Sequence, residues 1–164
     1  MTIPEIIADM IDYSDGNIHD IDHFLHVWSY ASAIGRLEGL DEGTQRILEV
    51  AAIVHDIACP LCREKYGNTN GKYQEAEGPA LAREFLAGKG LTDAEVERVC
   101  YLVGHHHTFT DIDGLDYQIL IEADYIVNAC EGGYSKAAVT AFAERVCRTS
   151  SGARLLRSVF RLDT

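Results

Sequence analysis

No apolar run in the 164-residue chain approaches the roughly 20 residues that a membrane-spanning helix needs. The opening residues, Met1-Thr2-Ile3-Pro4-Glu5, lack the basic and apolar regions of a signal peptide, so a cytoplasmic location without membrane contact is expected. Positive charge is scarce: 14 Lys and Arg stand against 26 Asp and Glu, a formal net charge of −12 at pH 7. That field opposes broad contact with a nucleic-acid backbone, and no nucleic-acid polymer is expected as a partner. A small phosphate would need a metal or a local basic cluster to reverse the field where it binds. The five cysteines (Cys59, Cys62, Cys100, Cys130, Cys147) are odd in number and scattered, which suits reduced thiols. Cys59-Pro60-Leu61-Cys62 has CxxC spacing, but no second pair completes a zinc site and no strand-helix context suggests a redox motif.

Period-two alternation long enough for a strand is also lacking, whereas helical periodicity recurs along the whole chain. The length suits one domain, residues 1–164, with no repeat and no linker. Thr2-Ile3-Pro4-Glu5 is a capping box leading into Ile6, Ile7, Met10 and Ile11 at helical spacing. A second helix is expected over about 20–37, stopped by Gly39, and Asp41 can cap a third that carries Ile47 to Val54. Residues 59–72, rich in Gly, Asn and Pro, read as a long loop. Further helices are expected over about 74–87, over about 93–103 after the capping box Thr92-Asp93-Ala94-Glu95, and over about 115–130, 135–147 and 151–160. The expected class is all-α, a single compact helical bundle.

The stretch Val50-Ala51-Ala52-Ile53-Val54-His55-Asp56-Ile57-Ala58 is apolar on every face until it reaches a His-Asp pair. A buried carboxylate needs a partner cation, a hydrogen-bond network or a metal. Adjacent helix residues point about 100° apart, so both can reach one ion only where the helix ends or the side chains converge. Alone, the pair also fits a helix-end His beside a capping Asp. All seven histidines, however, lie between positions 19 and 107 in three groups on or beside separate helices. His19, His23 and His26 share a helix face, His55 accompanies Asp56, and His105-His106-His107 end a helix. Asp124 is the acid in another strongly apolar helix, from which Glu122 points about 200° away. Convergence on one centre explains these residues together. Two His and two Asp suit a first-row divalent ion such as Mn, Fe, Ni, Co or Zn, and two of the His triplet could extend the site to a second ion.

His23, His55-Asp56 and Asp124, in that order on separate helices, resemble the H…HD…D signature of the HD superfamily of metal-dependent phosphohydrolases, over about residues 17–130. The segment from His19 to Val27 is also similar to the HDxxHxxRV start of one bacterial branch, with His26 where that branch has Arg. That alignment favours His23 over His26 as the first ligand. The resemblance implies a bundle of the HD-domain type, with C-terminal helices over 135–162 outside the motif and a metal held by His23, His55, Asp56 and Asp124. In two-metal relatives a further His and an HH pair contribute. Here His105 and His106 fill the HH position, while Gln74 takes the other, with Glu75 and Glu77 either in a solvated first turn or behind the ligands.

The implied activity is hydrolysis of a small phosphorylated molecule, such as a nucleotide, by metal-activated water, with Asp56, His105 and His106 as catalytic residues. His105, His106 or His26 could protonate the leaving oxygen. For the substrate phosphate the candidates are His26, Arg63, Lys65, Lys72 and Lys136, although a solvated surface role also fits each of the basic ones. The alternatives are a di-iron HD-type oxygenase and a non-catalytic metal-bound nucleotide sensor.

Overall fold

Capping residues set the helix starts in the computed structural model, which describes residues 1–162. The last two residues of the expected 1–164 domain lie outside the described residues. Nine helices and no strand are found among the described residues. Helix α1 (Ile3–Tyr13) opens on the expected capping box, with the Thr2 amide donating to Glu5 at 2.7 Å. Helix α2 (Ile18–Leu37) begins earlier than the periodicity suggests because the Asn17 side chain accepts from the Asp20 amide. Gly39, at φ 75°, takes the left-handed turn beyond its end. Asp41 caps α3 (Glu42–Val54) through the Thr44 amide at 3.0 Å.

The expected loop over 59–72 is corrected by the structure. Residues Cys59–Tyr66 form α4, which starts with Pro60 in its first turn and stops at Gly67, φ 71°. Proline at a helix start and glycine just past its end are helix signals as much as loop signals, and a two-turn helix between them shows too little periodicity to be read from the sequence. Only four residues then separate α4 from α5 (Gly71–Leu86). Helix α6 (Asp93–Val103) starts on the Thr92–Glu95 capping box, followed by α7 (Leu115–Gly132), α8 (Lys136–Arg145) and α9 (Ser150–Phe160).

The core forms where α2, α3 and α7 pack against one another, with α6 closing on α3 and α5 on α6. Val50 to Val54 are all fully buried, so α3 has no solvent face at its C-terminal end. Helix α7 buries Ile119, Leu120, Ile121, Ala123 and Ile126. No helix among the described residues is long and apolar enough to cross a membrane.

Glu122 faces away from Asp124, as its position around α7 requires, and joins a separate network. Its carboxylate accepts from Gln118 Nε2 and the Arg148 amide, both at 2.7 Å, from the Thr149 amide at 3.1 Å and from Thr149 Oγ1. Thr149 is also the N-cap of α9, and a Cβ at Gly152 would collide with the Glu122 carboxylate. The network therefore ties the C-terminal helix to the core. Glu122→Ala would strand these buried donors and should cost about 2–4 kcal/mol in a urea unfolding series. An unchanged unfolding midpoint would show that α9 is held by apolar packing alone.

Candidate metal centre

Helix α3 stops at Val54, and His55 is its C-cap. Asp56 lies in the turn that follows, where the Ile57 amide donates to Val54 O and the Cys59 amide to Asp56 O. Leaving the helix at this point lets His55 and Asp56 converge rather than diverge by a helical step. His23 comes from the buried face of α2, Asp124 from the middle of α7, and His106 from the turn after α6. His55 and His106 are wholly buried and His23 and Asp124 nearly so, whereas the Asp56 side chain is 25% exposed and opens to a cleft.

Each ring is oriented by its Nδ1. His55 Nδ1 is 2.8 Å from Ala52 O, and His106 Nδ1 is 2.8 Å from Val103 O. A carbonyl can only accept, so both Nδ1 atoms carry a hydrogen and both Nε2 atoms point inward. His23 Nδ1 lies 3.1 Å from both oxygens of Glu131, which fixes the same orientation. His23 Nε2 is 3.2 Å from His55 Nε2 and 3.2 Å from Asp124 Oδ1, and His55 Nε2 is 3.4 Å from the same oxygen. Asp56 Oδ2 is 3.4 Å from His23 Nε2, while Asp56 Oδ1 is 3.6 Å from His55 Nε2 and 3.3 Å from His106 Nε2. His106 Nε2 is buried and makes no hydrogen bond.

Imidazole nitrogens and carboxylate oxygens thus crowd together at the base of the cleft, an arrangement that only a proton or a cation relieves. A donor set of imidazole nitrogens and carboxylate oxygens fits a first-row divalent ion. The ligand atoms of His23, His55 and Asp56 all lie within 4.8 Å of one another, and so do those of Asp56, His106 and His107. Asp56 belongs to both groups. In the metal-free chain, burial alone would lower the pKa of His23. The hydrogen bond to Asp124 and the charges of Asp56, Asp124 and Glu131 outweigh burial and push it up to about 10. Burial likewise opposes the charge of His106, but Asp56 and Asp124 raise it. Both carboxyls resist burial and are held well below the usual range, Asp56 by His55, His106 and His23, and Asp124 by His23, His55 and His106. Burial and the neighbouring His106 pull His107 down to about 4.

The family model for the HD domain matches residues 20–130, more than half of the chain. The chain belongs to the HD domain family. The crystal structure of a predicted HD superfamily hydrolase from an uncultured Thermotogales bacterium is similar in fold. Its TM-score is 0.72 at 23% sequence identity, and the match covers 96% of this chain and 84% of that one. No curated protein matches the chain.

Within this HD domain the residues His23, His55, Asp56 and Asp124 lie together, whereas other sequence candidates are dispersed. His105 stands apart, with Nδ1 bonded to Tyr101 O and the ring stacked on Tyr101 at 4.1 Å. The pair nearest Asp56 is therefore His106-His107, one residue beyond the expected His105-His106, because the turn after α6 rotates His105 outward. His26 is exposed and lines a neighbouring groove with Tyr30, Val127 and Cys130. Lys65 pairs with Glu77 at 2.6 Å, Lys72 lies over the Tyr73 ring, and Lys136 donates to Arg161 O, so none of them lines the cleft. Arg63 does line it, tied to Asp20 through Nη1 and Nη2. Gln74 lines it too, with Nε2 donating to Thr69 O and a buried Oε1 that has no hydrogen-bond partner; the same is true of His107 Nε2. Glu75 holds the His107 amide and the Thr108 hydroxyl and so supports the turn behind the site.

Two further contributors come from α7. Asn128 donates to Asp124 Oδ1 at 2.9 Å, and Glu131 orients His23. They lie four and seven residues after Asp124, the spacing of one helix face, a signal present in the sequence.

The His23 pKa of about 10 exceeds the ordinary 6.5 expected when the chain unfolds. In metal-free protein its contribution to stability is fully present below about pH 6.5 and is lost as pH rises through about 10. Chelator-treated wild type should lose urea resistance across that range more steeply than His23→Gln. Parallel pH profiles for the two would contradict the charged network.

Proposed function

We propose that this HD domain is a metal-dependent phosphohydrolase acting on a small phosphorylated molecule. The observation that carries the reading is the set of inward Nε2 atoms and carboxylates at the base of an open cleft of about 230 Å³. His23, His55, Asp56 and Asp124 would hold the ion. A bound divalent ion supplies Lewis acidity, which lowers the pKa of water and withdraws charge from a phosphoryl oxygen.

The chain's own groups do the rest. Ala52 O, Val103 O and Glu131 keep the imidazoles from turning, so the site is oriented before substrate arrives. Gln74 and His107 line the cleft, and Gln74 Oε1 and His107 Nε2 are buried there without a hydrogen-bond partner. Arg63 lines the cleft, and Asp20 positions it while offsetting part of its charge. In a protein of net charge −12, that local positive charge favours a phosphate bound at the ion and at few other places.

Asp56, common to both ligand groups, favours a second reading in which two ions bind and the chain is a di-iron oxygenase. Two irons per chain with near-ultraviolet absorbance would support it. The phosphohydrolase reading predicts phosphate release from small phosphomonoesters by protein loaded with Mn, Fe, Ni, Co or Zn. Asp124→Asn should lower kcat/KM by about 10³-fold, with a near-ultraviolet circular dichroism spectrum like wild type. Arg63→Ala should mainly raise KM. Release that persists in excess chelator would contradict the reading.

A further inference from the structure

The metal cleft adjoins a second cavity, of about 270 Å³, lined by His107, Phe109, Asp124, Tyr125, Asn128 and Tyr134. His107 and Asn128 line both cavities, so the two meet along these side chains. Asp124, one of the inward carboxylates of the metal centre, forms part of the second cavity's floor. Its walls are aromatic. Tyr125 is already committed, stacked on Phe142 with ring centroids 3.5 Å apart. Phe109 and Tyr134 touch their aromatic neighbours edge-on, Phe142 and Tyr125 respectively, each at 5.8 Å. They remain 44% and 46% exposed, large apolar rings that the core does not use.

Both rings are built into position. Gly133, at φ 60°, ends α7 in the left-handed conformation and turns the chain back, with the Tyr134 amide donating to Ala129 O at 3.0 Å. A Cβ at Gly132 would lie 2.5 Å from the Tyr134 ring, so the ring occupies the space that a side chain there would fill. Phe109 follows Thr108, whose hydroxyl donates to Glu75 and whose carbonyl accepts from Tyr117 Oη at 2.6 Å. The lining holds no Lys or Arg, and its carboxylate, Asp124, repels an anion. The cavity therefore suits an uncharged group, and flat aromatic walls over a few polar floor atoms suit a ring.

We propose that this cavity is the leaving-group subsite, in which Phe109 and Tyr134 hold a flat aromatic or heteroaromatic ring carried by the alcohol of the phosphomonoester. This rests on the phosphohydrolase reading. In the reaction a water oxygen forms a bond to phosphorus, and the bond from phosphorus to the alcohol oxygen breaks. The proton that the attacking water gives up ends on the alcohol oxygen, and the ring-bearing alcohol leaves through the aromatic cavity while phosphate, with the water's oxygen, remains on the cleft side.

The test compares purine and pyrimidine nucleoside 5′-monophosphates with ribose 5-phosphate, which keeps the phosphate and sugar but lacks the ring. Metal-loaded wild type, Phe109→Leu, Tyr134→Leu and Tyr134→Phe are assayed side by side. Wild type should favour at least one nucleotide by about tenfold or more in kcat/KM, the scale of one stacked ring. Each Leu variant should bring that ratio toward one, and Tyr134→Phe should retain it. Equal kcat/KM with and without the ring, or a preference that survives both Leu variants, overturns the proposal. A separate arm titrates the phosphate-free nucleosides adenosine and uridine into the metal-loaded protein and follows the ring proton resonances of Phe109 and Tyr134. Shifts that saturate support the subsite even if no phosphate is released, in which case only the phosphohydrolase reading has failed. Unmoved resonances at millimolar nucleoside overturn the subsite whatever the assay shows.

Discussion

The structure is arranged around a crowding of acceptor atoms that apolar packing cannot relieve. Three Nε2 atoms and the carboxylates of Asp56 and Asp124 meet within about hydrogen-bond distance at the junction of α2, α3, α6 and α7. The backbone imposes much of this. His55 and His106 each sit just past a helix end and give their Nδ1 hydrogen to a carbonyl three residues earlier, so the same local turn that ends the helix aims the other nitrogen inward. Burying five such groups is costly unless positive charge joins them. The surrounding core of apolar helix faces keeps away most of the water that would otherwise solvate them.

The electrostatics of the rest of the molecule fit this centre. Acidic side chains outnumber basic ones almost two to one, and of the candidate cations Lys65 is held by Glu77 and Lys136 by a carbonyl away from the cleft. Glu122 shows how the fold handles a buried carboxylate that has no access to the centre: four protein donors surround it. Asp124, two residues further along α7, has Asn128 as its hydrogen-bond donor and histidine nitrogens as its other near neighbours. The contrast separates a structural carboxylate from one poised for a cation.

Much of this was legible in the sequence where the signal is local. Capping boxes at Thr2 and Thr92, the Asp41 cap and the glycine stop at Gly39 marked helix ends because side chain to backbone bonding there depends on residues three apart. The histidines were legible as a set because three groups interrupted apolar helices, whereas the choice of His23 beside His55, Asp56 and Asp124 came from the resemblance to the HD signature. Short α4 was missed because eight residues give little periodicity, and Pro60 and Gly67 punctuate loops as well as helices. The choice between His105 and His107 depended on the rotation of one turn, which spacing does not carry. Nor does spacing reveal which cations are already paired, since Arg63 and Asp20 lie far apart in the chain, as do Lys136 and Arg161. Glu131 and Asn128 were readable by helical spacing from Asp124 once that residue was taken as the anchor.

The central claim is that these acceptors are gathered to hold a cation, and metal content per chain tests it most directly. Protein purified without chelator, wild type beside Asp56→Ala, should carry about one or two divalent ions in the first case and almost none in the second, because Asp56 belongs to both ligand groups. Wild type that carries none, and takes up none when offered Mn, Fe, Ni, Co or Zn, would contradict the account and return His55 and Asp56 to the role of a core pair.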